Sequence, residues 1–161
     1  MIDKQIIDRV IKIYKNELTY YQNLLSLSQK QQKLIKNSDL EELERILSSK
    51  EQVMSKIDDL ELKLKPYKNA CIKALDLDDK RWISQLLETE LFDLELEDTI
   101  NSIKTLIKEL NDLDKQNQKL MADKKNELMK EIGKIRKGSK VNKSYNSKQA
   151  RIHSTFIDNK S

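Results

Sequence analysis

The side chains best suited to covalent or acid–base chemistry are scarce in this 161-residue chain, which holds one histidine, His153, and one cysteine, Cys71. A general base works only when a neighbour orients it. His153 lies in a Ser-, Lys- and Asn-rich C-terminal stretch that offers no partner at fixed spacing. Cys71, between Ala70 and Ile72, reads as a small buried hydrophobe rather than a nucleophile. The carboxylate pairs Asp58-Asp59 and Asp78-Asp79 are sequence neighbours, and neighbours point apart on a helix, so they make poor metal sites. No Gly-rich phosphate loop and no Cys/His cluster occurs. The expectation is a protein that is not an enzyme and uses no cofactor or metal, acting by non-covalent association.

The next chemistry on offer is charge. Residues 134–161 carry eight basic side chains (Lys134, Arg136, Lys137, Lys140, Lys143, Lys148, Arg151, Lys160) against Asp158. That segment is therefore +7, and since the whole chain is +4, residues 1–133 carry −3. Clustered Lys and Arg can release counterions from phosphate. This tail, however, lacks a nucleic-acid recognition motif and is joined to a body of opposite sign, so no dedicated nucleic-acid role is expected.

Composition says what must position these groups. Charged residues reach 36%, aromatic residues only 5%, and the chain has 2 Gly and 1 Pro. Abundant Leu, Lys, Glu and Gln favour helix, and so few aromatics favour a thin bundle in which each helix buries one stripe. The charges within MIDKQIIDRV leave no room for the apolar core of a signal peptide. No apolar run approaches the ~18–20 residues of a membrane span. A lone cysteine suits a reducing compartment. A cytoplasmic protein is expected.

Apolar residues recur every three or four positions, and strand alternation is absent. A first helix is predicted from Asp3 to Lys36, through Ile6, Val10, Tyr14, Leu18, Tyr21, Leu25 and Ile35. Asn37-Ser38-Asp39 breaks it, and Ser38 with Glu41 matches a capping box that opens a second helix. So short a connection makes the two helices antiparallel neighbours. Pro66 is expected to end or kink the second helix at about Lys65, with Tyr67 to Leu75 able to continue beyond. After a loop at Asp76–Asp79, a short helix is predicted from Lys80 to Leu87, with Trp82, Ile83, Leu86 and Leu87 facing inward.

A last helix, from Thr89 to about Lys137, is the longest; at 1.5 Å per residue it spans ~70 Å against ~50 Å for the first, so its end should project past its partners. Asn117 falls on its seam, and two readings stand: a buried register-setting polar residue, or an exposed position where the stripe thins. The fold class is all-α: an elongated antiparallel helical bundle or coiled coil of three long helices plus one short one, with a flexible C-terminal tail. The bundle is assigned residues 1–137, and the tail residues 138–161, with Gly138 a plausible C-cap. The tail's composition is that of a disordered segment. Val141, Tyr145, Ile152 and Phe156 nonetheless fall on one helical face, so it could order against a partner.

Three stretches together resemble a known family. The first is LLSLSQKQQKLIKNSDLEELERILSSKEQVMSKIDDLELK, residues 24–63, with Leu34-Ile35, the junction Asn37-Ser38-Asp39, Leu43, Lys50-Glu51 and Leu60-Glu61. The second is Asn117-Gln118-Lys119-Leu120-Met121 on the long helix, and the third is SYNSKQARIHSTFIDNKS, with Tyr145, Asn146, Phe156, Asp158 and Lys160. Their order and the chain length resemble the FlgN-type flagellar export chaperones. One departure is Gln149, where the family usually has Gly about four residues after the tyrosine, which puts a tight turn there in doubt.

The resemblance implies a chaperone for hook–filament junction proteins of the FlgK and FlgL type. It would shield their C-terminal assembly helices and deliver them to the type III export gate. Such a client helix would be held in a groove through i, i+3 and i+4 anchors. The binding face is then expected on the second half of the long helix, at Leu120, Met121, Leu128, Met129, Ile132 and Ile135, continuing to Tyr145 and Phe156 in the tail. Methionine gives such a surface its adaptability. The same six helix residues would instead be core if another helix covers them. A monomer or weak dimer is expected. Alternatives are a FliT-like chaperone of the filament cap protein and a homodimeric coiled-coil adaptor unrelated to flagella.

Overall fold

The computed structural model describes residues 2–90 and 94–132, and the side chains of all but the last of these. Four helices follow in order: α1 (Lys4–Lys36), α2 (Leu40–Leu75), α3 (Trp82–Leu87) and α4 (Leu94–Ile132). Among the described residues there is no strand, so the all-α expectation holds. Asp3 starts α1, its carboxylate accepting from the Gln5 amide at 3.1 Å.

The α1–α2 turn corrects the predicted capping box by one residue. Ser38 does not cap α2; it takes the left-handed conformation with φ 55°. Its amide donates to the Ile35 carbonyl at 3.1 Å, and the Asp39 amide donates to the Leu34 carbonyl at 3.0 Å. This crossed pair of bonds closes α1 as a Schellman motif. Asp39 then caps α2, accepting from the Glu42 amide at 3.2 Å. Asp76, with φ 53°, ends α2 in the same left-handed way.

Pro66 neither ends nor interrupts α2, which runs 36 residues through it. A proline removes one amide and leaves the carbonyl four residues earlier without a partner. That residue is Leu62, and both Leu62 and Pro66 are exposed, so water can take the amide's place. The short helix begins at Trp82 rather than Lys80, because Lys80 and Arg81 are held in a turn by Asp78. Thr89, predicted to open α4, instead lies with Glu90 in the turn after α3, since Glu88 and Thr89 close that helix, and the described part of α4 starts at Leu94. The predicted extension of α4 to Lys137 and the tail 138–161 lie outside the described residues.

Helix α1 is central and packs along both α2 and α4. Contacts ascend together on α1 and α4, from Lys15–Glu95 through Ser28–Asp114 to Ile35 beside Met121, so these two run parallel and α2 runs against both. Apart from Thr99, buried positions on α4 step by four and three: Leu96, Ile100, Ile103, Ile107, Leu110, Asp114, Asn117, Met121. That is a heptad seam. Three apolar clusters stack along the bundle. Val10, Ile13, Leu64, Cys71, Trp82 and Leu86 fill one end. Tyr21, Leu24, Met54, Ile57, Ile107 and Leu110 fill the middle. Ile35, Leu43, Leu47 and Met121 fill the end beside the α1–α2 turn.

Candidate binding surfaces

Between the middle and turn-side clusters the seam becomes polar. Gln31 and Ser28 of α1, Lys50 of α2, and Asp114 and Asn117 of α4 are all buried there. Lys50 Nζ donates to Gln31 Oε1 at 2.9 Å and to Asp114 Oδ1 at 3.0 Å. The Ser28 hydroxyl donates to the same Asp114 oxygen at 3.0 Å, and Asn117 Nδ2 donates to the Ser28 backbone carbonyl at 2.9 Å. One layer thus ties all three long helices, and any slip of one helix by a turn would strand these groups away from water. Of the two readings of Asn117, the structure selects the buried one. Lys50 and Asn117, far apart in two of the stretches that carried the family resemblance, belong to this single layer. Its function is positional: it fixes the register that sets the outer surfaces.

The residues expected to form a binding face fall into three groups. Met121 is 5% exposed and belongs to the turn-side core, and Leu120 packs half-buried against that cluster. Leu128 is half-buried and lines a shallow cleft with Ile35, Leu40, Leu43, Lys124 and Lys125, where α4 passes the α1–α2 turn. Met129 is exposed at 38%, as are Lys130 and Glu131 after it. Helix α4 therefore does run beyond its partners over its last described residues. The side chain of Ile132, and all of Ile135, Tyr145 and Phe156, lie outside the described residues.

Sequence reasoning did not foresee a second surface. A groove of about 980 Å³ opens between the later half of α2, helix α3 and the first half of α4, with Tyr14 and Glu17 of α1 at its base. Trp82, Ile83, Ile100, Ile103 and Ile107 supply apolar lining. Lys65, Lys68, Lys104, Lys108 and Lys115 stand along its walls.

At the base, Glu17 is only 2% exposed. Burial first, then the hydrogen bond to Glu61 and that neighbour's charge, push its carboxyl far above the usual range. Glu17 therefore keeps its proton at neutral pH and can donate it to Glu61. Burial also raises Tyr14 above an ordinary phenol, with Glu17 and Glu61 adding to the effect. The signal for Glu17 was in the sequence: it lies three residues after Tyr14 and four before Tyr21, on the seam of α1.

Cys71 is fully buried, and burial raises its thiol pKa, as suits a packing residue. Among the described residues no cluster of His, Cys, Asp and Glu could hold a metal ion, and no helix is long and apolar enough to cross a membrane. What the geometry offers is helix-lined surface: a cleft at the projecting end of α4 and a cationic groove at the other end.

A family model described as FlgN protein matches residues 1–151 of the chain. Comparison with curated proteins and with solved structures finds no match.

Proposed function

Starting from the fact that the chain belongs to the FlgN protein family, the flagellar export chaperones, we propose that its clients are hook–filament junction proteins of the FlgK and FlgL type. In this reading it works in the cytoplasm and binds the C-terminal helical segment of an unassembled subunit. That segment is amphipathic and self-associating, so covering it prevents premature assembly until the subunit reaches the type III export apparatus. The client seat is the end of α4, at Leu128 and Met129 with Ile132 and Ile135, extended by Tyr145 and Phe156 of the tail. Leu120 and Met121 support that seat from within, since they pack against the turn-side core.

The observation that supports this seat best is the passage of α4 beyond the α1–α2 turn. It leaves an apolar cleft at Leu128 and an exposed Met129 on a helix whose register the polar layer fixes. A client helix laid there would gain about 25 cal/mol for each Å² of apolar surface withdrawn from water. Affinity purification from the native cell, with mass spectrometry of what remains bound, tests the reading. Recovery of a hook-associated protein is expected. Recovery of the filament cap protein instead would transfer the chain to the FliT-like role, and recovery of no flagellar subunit would overturn the reading.

A further inference from the structure

We propose that the groove between α2, α3 and α4 is a docking site for an acidic amphipathic helix of a partner protein. Its apolar face would lie on half-buried Ile83 and the exposed edges of the core residues Trp82 and Ile103, and its carboxylates against Lys104, Lys108 and Lys115. The groove's chemistry alone carries this, independently of which client the α4 end holds.

The long wall sets the size of the occupant. Lining residues on α4 run from Ile100 to Lys115, about 22 Å at 1.5 Å per residue, which matches roughly four turns of a docked helix. Lys104, Lys108 and Lys115 recur at spacings of four and seven and so form one stripe beside the buried seam. All three are exposed, and among the described residues none of them makes a salt bridge. Seven Lys or Arg line the groove against four acidic residues, and one of those four, Glu17, holds its proton. A cationic rim around an apolar floor favours an apolar helix with negative flanks, by attraction and by rejection of positive ones.

The chain's own tail is a poor occupant, because residues 134–161 carry eight basic side chains and one acidic. A second copy is the nearer rival, since Glu88, Glu90, Asp93, Glu95, Glu97 and Asp98 form an acidic run without a basic residue.

The chain's single tryptophan, Trp82, lines this groove and reports on it. The experiment titrates the full-length protein with a synthetic helix of about 16 residues having a Leu/Ile face and Glu flanks, following Trp82 fluorescence. Saturable binding that weakens with salt is expected, with at least a tenfold loss for Lys104→Glu/Lys108→Glu at unchanged circular dichroism. A Lys-flanked version of the peptide should bind at least tenfold more weakly. If the charge-reversed variant folds poorly, Lys104→Gln/Lys108→Gln should still weaken binding about threefold.

Equal binding of the two peptides, or undiminished binding by folded variants, would overturn the proposal. So would a single-stranded oligonucleotide that displaces the peptide at comparable concentration, which would make the groove a polyanion site. A dimer in light scattering that Lys104→Glu/Lys108→Glu dissociates would give the groove to a second copy. Truncation of the tail should leave peptide binding intact, so a failed client seat and a failed groove give different results.

Discussion

The ammonium of Lys50 sits 2.9 Å from Gln31 Oε1 and 3.0 Å from Asp114 Oδ1, with both charged side chains almost wholly removed from water. Removing one member of a buried ion pair strands the other, which typically costs about 3–5 kcal/mol, whereas replacing both with apolar groups is often neutral. Lys50→Met should therefore destabilise by about 3 kcal/mol in urea unfolding, and Lys50→Met/Asp114→Leu should recover most of that loss. A double variant no more stable than the single one would contradict the pairing.

Glu17 makes a prediction of opposite character. Its pKa is raised in the folded chain, so the folded state binds more protons than the unfolded one above the ordinary carboxylate pKa of about 4.3. Stability from this group is complete below that value and is lost as pH rises, by at most about 1.4 kcal/mol per pH unit. Glu17→Gln should flatten the fall between pH 5 and pH 8 in chemical denaturation; an unchanged slope would show that Glu17 is not held neutral.

At the scale of the helices, the three-four recurrence of apolar residues made α1, α2 and α4 legible, because burying one stripe is the only way such a charged chain can fold. Boundaries were less legible, and for local reasons. Ser38 and Asp39 are both good caps by type, and only the crossed hydrogen bonds that end α1 decide between them. By type Pro66 signals an end or a kink near Lys65, yet the helix continues through Tyr67 to Leu75, because an exposed proline merely weakens a helix that tertiary packing holds on its other face. Its cost should still be measurable: Pro66→Ala is expected to stabilise the protein by about 1–3 kcal/mol, from the helix-interior penalty of proline less its benefit to the unfolded chain. A loss of stability in urea unfolding would mean that the proline fits a local bend that alanine cannot.

The candidate surfaces were harder to read than the helices. A charged residue on a seam looks like a gap in the stripe, so the sequence pattern does not mark Lys50 and Asp114 as buried, and the groove's lysines come from segments that only folding brings together. Leu120 and Met121 illustrate the converse, since apolar residues of a long helix look alike whether a neighbour covers them or not.

Across the whole molecule, register and charge act together. A polar layer locks three helices, a projecting end of α4 continues into a +7 tail, and residues 1–133 carry −3. Membership of the FlgN family makes this a flagellar export chaperone, and the α4 end is the client seat proposed above. The most direct test is truncation after Arg136, with affinity for the C-terminal helical segment of a hook-associated protein measured beside helicity and melting temperature. At least a tenfold loss of affinity is expected, with both structural readouts nearly unchanged, because the core clusters lie upstream. Full affinity in the truncated chain would contradict the tail's part in the client seat.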